Sequence, residues 1–275
     1  MSEDTAHCGE CSFKIPIVEG IPILVKDFPG IEEAIREAVG AGRGQWYEGP
    51  QARQWTGPYR HHLIKRRRYV ERVLQKYGSE NRGKPVILDL GCGDGGNLSW
   101  LAPLAGDLYG SDYNLKRLLR AGQLPEKKNL FLADLSDYPA LDDSFDVIFF
   151  NHVLEHIPDD ERALAETRRI LKPSGILILG VPNEGAFFWR LAYRLEPRTL
   201  ALTDHVHFYT ARSLSEKCRK IGFGIREVHP IGWGVPHWTL DSIIRGYKWI
   251  DDLFELIGRA LLPAQATSLY LILHK

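Results

Sequence analysis

The chain has 275 residues, 44% of them hydrophobic, and its acidic and basic residues balance at 35 each. This is enough apolar material for one large domain with a small appendage, and the balanced charge favours neither nucleic acid nor an anionic membrane as a partner. No apolar run reaches the roughly 18 to 20 residues of a membrane span, and no signal sequence follows Met1. We therefore expect a cytoplasmic protein, and its four cysteines do not suggest a disulfide framework.

The amino end carries one CxxC pair, Cys8 and Cys11, ahead of an apolar stretch at 13–25. A structural zinc ribbon needs four ligands, usually two such pairs, and the second pair is missing. Residues 1–30 are therefore predicted to form a small appendage, a strand pair that packs on the main domain without metal. Residues 31–83 are predicted to be a helical cap that ends in a basic helix, for which a solvated face is the simplest interpretation.

A short apolar run at 86–90 stops in a glycine-rich loop and is followed by helical spacing, which predicts a strand, a tight loop and a helix. Gly91, Gly93 and Gly96 fit the G-x-G-x-x-G pattern of dinucleotide sites. Asp89, two residues before the first glycine, would repel a pyrophosphate but can accept hydrogen bonds from a cationic amino group. The pattern favours a ligand with a nucleoside at one end and an ammonium group at the other.

The run Asp89-Leu90-Gly91-Cys92-Gly93 resembles the first motif of the class I S-adenosylmethionine-dependent methyltransferases of the small-molecule type. The resemblance extends over about residues 84 to 229. It implies an α/β domain over 84–275 with a doubly wound seven-stranded sheet of order 3-2-1-4-5-7-6, the last strand antiparallel, and helices on both faces. Lid insertions are expected near 184–210 and 231–265. The amino-terminal segment resembles the zinc-ribbon-like modules of some members but lacks their second cysteine pair.

Acids follow the next two predicted strands. Asp112 ends the strand at 107–112 and is placed to reach a ribose diol, since a carboxylate can accept from both hydroxyl groups. Asp134 follows the strand at 129–133, and the resemblance implies that it receives the adenine amine while the Leu135 amide reaches a ring nitrogen. Helix capping by either acid is the structural alternative. The predicted S-adenosylmethionine site comprises Asp89, Gly91, Cys92, Gly93, Asp112, Tyr113, Asp134, Leu135 and Asn151.

Two histidine-bearing segments are expected to border the methyl acceptor. His152 lies in 151–156, after the fourth strand, in a run that resembles the motif of small-molecule methyltransferases; the neighbouring Glu155 and His156 are interpreted as contacts that hold the loop. His205 and His207 lie beside an acid in the segment 203–210. Metal binding there would need a third and fourth ligand that the sequence does not suggest. We therefore predict His152, His205 and His207 as catalytic base candidates and no metal site.

Two amphipathic segments follow the predicted core. Arg190, Arg194 and Arg198 are four residues apart among aromatic residues, which predicts one helix with a basic face, either a packed lid or a membrane contact. A longer apolar stripe at near-helical spacing from 240 to 261 predicts a second amphipathic helix. Packing on the protein itself, a homodimer and peripheral membrane contact remain open for it.

The sequence thus predicts an S-adenosylmethionine-dependent methyltransferase that acts on an oxygen or nitrogen atom of a small molecule, such as a saccharide, a phenol or a lipid-linked intermediate. An NAD-dependent oxidoreductase and a non-catalytic cofactor-binding protein are the alternatives. A nucleic acid acceptor is disfavoured, because no Asn/Asp-Pro-Pro-aromatic sequence follows the fourth strand to hold a flipped base.

Overall fold

The computed structural model describes residues 3–7, 14–50, 57–77 and 83–275. At the amino end, β1 (Glu3–His7) pairs antiparallel with β2 (Lys14–Val18), which pairs with β3 (Ile21–Pro22). The next residues dock on the main sheet, because the Leu24 amide donates to the Leu132 carbonyl at 2.8 Å. The described residues of the amino end thus form a three-stranded antiparallel sheet, and Cys8 and Cys11 lie outside the described residues.

The described part of the segment before the main sheet contains the helices α1 (Phe28–Ala38), α2 (Gly44–Tyr47) and α3 (Arg60–Tyr77). Asp27 caps α1 by accepting a hydrogen bond from the Gly30 amide. Between α1 and α2 the chain makes an irregular turn at Gly42, whose φ of 86° favours glycine. The long helix α3 buries Tyr69, Val70, Val73 and Leu74 against the sheet. Its basic residues divide, because Arg68 and Arg72 are exposed whereas Lys65 and Arg66 bond to other elements of the protein.

The main sheet and its connecting helices fill the rest of the chain. The strands are β4 (Val86–Leu90), β5 (Asp107–Asp112), β6 (Asn129–Leu132), β7 (Phe145–Asn151), β8 (Leu171–Pro182), β9 (Gly224–Ile231) and β10 (Ser268–His274). The helices are α4 (Leu98–Leu101), α5 (Leu115–Gly122), α6 (Asp160–Ile170), α7 (Phe187–Leu195), α8 (Pro197–Leu202), α9 (Ala211–Ile221), α10 (Trp238–Ile244) and α11 (Lys248–Leu261).

The order of the strands confirms the predicted topology. The sheet runs β6-β5-β4-β7-β8-β10-β9, and β10 is antiparallel to both of its neighbours. Alternate strand residues face two separate cores, Ile87 one and Leu88 the other. The first core includes residues of α3, α4 and α5, and the second includes residues of α6 and α9, so helices cover both faces as expected.

Two predicted helices are each broken into two. The prediction of one basic face was wrong, because the backbone leaves the helical region at Glu196 and Pro197 starts a new helix. Arg190 and Arg194 therefore lie on α7, and Arg198 lies on α8. The carboxy-terminal stripe divides between α10 and α11 around Arg245. None of the described helices is both long and apolar enough to cross a membrane.

Candidate active site

The carboxyl ends of the parallel strands meet at one edge of the sheet, where the strand order reverses between β4 and β7. Ligands of doubly wound sheets bind outside such an edge. The glycine loop follows β4, Asp112 ends β5, and Asn151 ends β7. The sheet therefore brings most of the predicted site residues to one crevice.

The glycine loop leaves its backbone bare. Gly91, Gly93 and Gly95 have φ values of 75°, 54° and 80°, in the region that favours glycine. A Cβ atom on Gly91 would lie 2.4 Å from a methyl carbon of Val153. Since a side chain would clash there, the loop packs directly against the segment that carries His152.

Asp89 lies beneath this loop with 1% of its surface exposed. Its Oδ2 atom is buried and has no hydrogen-bond partner among the residues that the structure describes. Burial and, to a smaller extent, the charge of the nearby Asp112 raise the pKa of the carboxyl group to about 8, against the opposing effect of a hydrogen bond from Asn97. A buried carboxylate oxygen without a partner fits the amino group of an S-adenosylmethionine bound over the bare loop.

Asp112 organises the loop from the end of β5. Its two carboxylate oxygens accept hydrogen bonds from the amides of Gly93 and Asn114, both at 2.9 Å. Each oxygen has a further lone pair for a ribose hydroxyl group. The predicted ribose contact stays a prediction, but the position of Asp112 beside the loop is the one it requires.

The remaining predicted cofactor residues differ in what their side chains do. Cys92 is buried, and burial raises the pKa of its thiol well above the usual range. Leu135 packs half-buried against the second core. Asp134 is exposed, and its oxygens accept from the amide and the hydroxyl group of Ser136 at 3.0 and 2.7 Å. Tyr113 is exposed beside Asp112.

Asn151 uses its side chain to connect three elements. Its Oδ1 accepts from the Arg66 guanidinium at 3.0 Å and from the Tyr270 hydroxyl group at 2.8 Å. These bonds join β7 to α3 and β10. The side-chain carbonyl of Asn151 thus has partners within the protein, while its backbone remains at the strand end.

His152 adopts a left-handed backbone conformation, with φ of 54°, which is uncommon outside glycine. Its Nδ1 lies 3.5 Å from a carboxylate oxygen of Glu155, and its buried Nε2 has no hydrogen-bond partner within the described ranges. Burial lowers the pKa of this imidazole well below its usual value, and the positive charge of Arg66 adds to the effect. His152 is therefore neutral at pH 7 and can accept a proton.

A second cluster forms beside His152. Glu155, His156 and His205 each bring one oxygen or nitrogen atom to within 4.8 Å of the other two. His156 Nδ1 lies 2.7 Å from Asp204 Oδ1, and His205 Nδ1 lies 2.7 Å from Glu184 Oε2. Burial raises the pKa of the Glu155 carboxyl group to about 7.

His207 lies apart from this cluster. Its Nε2 is 3.0 Å from the Ile157 carbonyl oxygen and 3.7 Å from Asp160 Oδ2. The structure thus groups His205 with Glu155 and His156 instead of with His207. The pattern His-x-His gave no sign of this grouping, because two of the three residues precede His205 by about fifty positions.

The cap segment 44–50 crosses the crevice. The Tyr47 hydroxyl group donates to Asp204 at 2.6 Å, and the Tyr47 carbonyl accepts from the Asn114 side chain at 2.8 Å. The Tyr47 ring also meets Tyr113 edge-on, with 6.3 Å between their centroids. One residue of the cap thus connects the end of β5 to the loop that carries His205.

Sequence reasoning missed Glu184 and the part that Glu155 and Asp204 play. Glu184 is buried directly after β8, and it also accepts a hydrogen bond from the Tyr193 hydroxyl group. A charged residue at the carboxyl end of an apolar strand was the available signal, as it was for Asp112.

Comparisons with known proteins agree with this geometry. A family model described as a methyltransferase domain matches residues 59–228. A probable S-adenosylmethionine-dependent methyltransferase of Mycolicibacterium smegmatis is 26% identical over 172 residues, 62% of this chain and 64% of that protein. An uncharacterized 37.1 kDa protein in a Streptomyces fradiae transposon is 31% identical over 216 residues, 66% of this chain and 62% of that protein.

Solved structures share the fold. One chain of the complex between the Haloferax volcanii Trm112 methyltransferase activator and its candidate methyltransferase has a TM-score of 0.58 at 18% identity, covering 87% of this chain and 96% of that one. The chain spans a little under two thirds of the length of the two curated relatives. Nothing in these comparisons supports an NAD-dependent oxidoreductase. The chain belongs to the family of methyltransferase domains, and the cofactor of this family's S-adenosylmethionine-dependent members fits its glycine loop and Asp89.

Proposed function

We propose that this protein transfers the methyl group of S-adenosylmethionine to an oxygen or nitrogen atom of a small molecule. The observation that carries the proposal is the unpartnered, buried oxygen of Asp89 under a loop that tolerates no side chain at Gly91. An ammonium group supplies the missing hydrogen bonds and stabilises the ionised carboxylate, whereas a pyrophosphate has no donor for this oxygen.

Different residues of the chain would orient the cofactor and remove the proton in such a reaction. Bound S-adenosylmethionine supplies a methyl carbon activated by its sulfonium, which leaves positioning and proton removal to the protein. Asp89 orients the amino group of the cofactor, and Asp112 keeps the loop in shape. His152 is held against that loop, because its neighbour Val153 contacts Gly91. As the new methyl–oxygen or methyl–nitrogen bond forms and the methyl–sulfur bond breaks, neutral His152 takes the proton of the acceptor.

Aromatic side chains beside the histidines support an acceptor with a flat or apolar portion. Trp189 and Trp238 meet at 4.4 Å between ring centroids, and Tyr193 packs beside both and bonds to Glu184. Glu184 in turn holds His205. These three aromatic side chains suit a phenol, a saccharide or a lipid-linked intermediate as the acceptor.

Titration calorimetry with S-adenosylhomocysteine and with NAD tests the cofactor part of the proposal. We expect binding of the first only, and at least a tenfold weaker affinity in Asp89→Asn. Asp107→Asn is the matched control, since Asp107 is exposed at the opposite edge of the sheet. Tight NAD binding, or equal affinities in the two variants, would contradict the proposal.

Methyl transfer itself is tested with S-adenosylmethionine labelled at the methyl group and a fractionated metabolite extract as acceptor. We expect label in a small molecule and stoichiometric release of S-adenosylhomocysteine. Cofactor binding without release of S-adenosylhomocysteine across all fractions would favour a non-catalytic binding protein. Label recovered in RNA or protein would refute the small-molecule acceptor.

We further propose that the exposed side of α11 contacts a lipid surface. Trp249, Leu256 and Leu261 are 67%, 70% and 74% exposed, which gives α11 an apolar outer side of the kind that interfacial helices insert between lipid headgroups. Flotation with phosphatidylserine-containing vesicles should retain the protein, and a Trp249→Ser/Leu256→Ser variant should lose this retention. A concentration-dependent dimer without vesicle binding would overturn the proposal. The cytoplasmic location stays a prediction.

A further inference from the structure

The side chain of Glu155 presents an unusual electrostatic problem. It is 0% exposed, and neither of its carboxylate oxygens has a hydrogen-bond partner in the ranges that the structure covers. A buried carboxylate of this kind is costly unless a charge or a donor compensates it. His152 Nδ1 lies 3.5 Å from one of these oxygens. The site therefore calls for a positively charged partner.

The two imidazoles next to Glu155 are already oriented by carboxylates. Asp204 lies at Nδ1 of His156, and Glu184 lies at Nδ1 of His205, in both cases at 2.7 Å. Each ring has Nε2 as its second nitrogen, which a metal ion could use. Histidines that bind metal ions usually have the other ring nitrogen held by a carboxylate or a carbonyl group in this way, which fixes the tautomer and makes the nitrogen more basic.

We propose that Glu155, His156 and His205 bind one divalent transition-metal ion, with an open coordination position for an oxygen atom of the methyl acceptor. Two imidazoles and one carboxylate suit Zn²⁺, Mn²⁺, Fe²⁺ or Co²⁺. Ligand atoms of a tetrahedral ion at about 2.1 Å lie roughly 3.4 Å apart. The three atoms lie within 4.8 Å of one another, so a small movement of the side chains completes the site.

The acceptor part of the inference rests on the proposed function, whereas the metal part does not. His152 shares a short segment with two of the three proposed ligands, Glu155 and His156, and that segment contacts the glycine loop through Val153. An ion in the cluster would hold a hydroxyl or carboxylate oxygen near the transferred methyl group and would lower the pKa of a bound hydroxyl. Asp204 and Glu184 act as positioning residues for the two histidine ligands.

Metal content is measured without cofactor, in a protein that carries Cys8→Ser and Cys11→Ser so that the CxxC pair cannot contribute. After dialysis against Zn²⁺, Mn²⁺ or Co²⁺ and then against buffer, elemental analysis should give one ion per chain for at least one metal. In the same background, Glu155→Gln and His205→Ala should weaken binding at least 100-fold. His207→Ala should bind like the parent protein, because His207 faces the Ile157 carbonyl.

Two further measurements separate ligands from positioning residues. Glu184→Gln should weaken metal affinity by about 10- to 100-fold without abolishing it, as expected when the partner of a ligand histidine is lost. Acetohydroxamate, a small oxygen chelator, should change the absorption spectrum of the Co²⁺ protein if a coordination position is open. An unchanged spectrum refutes the open position.

The metal site is refuted if none of the three ions is retained at stoichiometry, or if His205→Ala and His207→Ala lose the ion equally. Far-ultraviolet circular dichroism confirms that each variant is folded, and Glu155→Gln keeps the volume of the side chain it replaces. These results are independent of methyl transfer, because S-adenosylhomocysteine binding is scored through Asp89. A failure of the metal site therefore leaves the proposed function intact.

Discussion

Replacing Asp89 with asparagine should change the proton balance of cofactor binding. Burial raises the pKa of the Asp89 carboxyl group to about 8 in the free protein, so the group is mostly protonated at pH 7. An ammonium group placed at its unpartnered oxygen stabilises the ionised form. Binding of S-adenosylhomocysteine should therefore release a proton from the wild-type protein and none from this position in Asp89→Asn.

The size of the effect follows from the pKa. A group with a pKa near 8 is about nine-tenths protonated at pH 7, so binding should release about 0.9 of a proton. The lost charge-assisted hydrogen bond should also lower affinity by about 1.5 to 3 kcal/mol, roughly 10- to 150-fold. The pKa of Asp89 is higher in the folded protein, at about 8, than its unfolded value of about 3.9. The free energy of unfolding therefore falls as pH rises from the lower to the higher of these values.

The proton count is read from calorimetric titrations at pH 7 in two buffers with different ionisation enthalpies. The slope of the observed enthalpy against ionisation enthalpy gives the protons exchanged. Denaturant unfolding between pH 5 and pH 8 without ligand supplies a second test: Asp89→Asn should gain stability relative to wild type as pH rises, by up to about 1.4 kcal/mol per pH unit. Equal proton release in both proteins, with parallel stability profiles, would refute the role assigned to Asp89.

Three more substitutions test other parts of the structure. Arg245→Ala should lower the free energy of unfolding by about 3 to 5 kcal/mol in denaturant titrations, because it removes the buried guanidinium that pairs with both Asp241 and Asp251. The exposed Lys248→Ala should cost under about 1 kcal/mol. Gly91→Ala should abolish S-adenosylhomocysteine binding in calorimetry, and Val153→Ala in the same chain should restore part of it by removing the clash; no restoration would contradict the steric argument. Asp112→Ala should weaken cofactor affinity by about 1.5 to 3 kcal/mol, and unchanged affinity would dismiss its ribose contact.

The strands of the sheet could be predicted from the sequence because they are short apolar runs with clear ends. The strand from Asp107 to Asp112 was predicted to the residue, and the family resemblance supplied the strand order that periodicity cannot give. Periodicity failed where a helix breaks for local reasons. Glu196 leaves the helical region just before Pro197, and Arg245 turns inward to Asp251, so an apolar stripe read as one helix became two.

The cofactor side of the site was more visible in the sequence than the acceptor side. Asp89 and Asp112 follow directly from strand ends, which meet at one edge of any parallel sheet. The cluster of Glu155 with His205 instead depends on contact between two segments that are distant in the sequence. The loop that carries His205 lies against the segment after β7, where the amide of Val206 donates to the Glu155 carbonyl at 2.9 Å. No spacing rule encodes such a contact, because it is set by tertiary packing.

The contact between Tyr47 and Asp204 has a consequence for the rate of turnover. Since one cap residue is bonded to both sides of the crevice, exchange of the spent nucleoside requires these bonds to open, each at a net cost of about 1 kcal/mol. At about 2 kcal/mol for the two bonds together, the open cap would be a minor state through which nucleoside exchange passes. Opening of the cap would then set the residence time of the bound nucleoside.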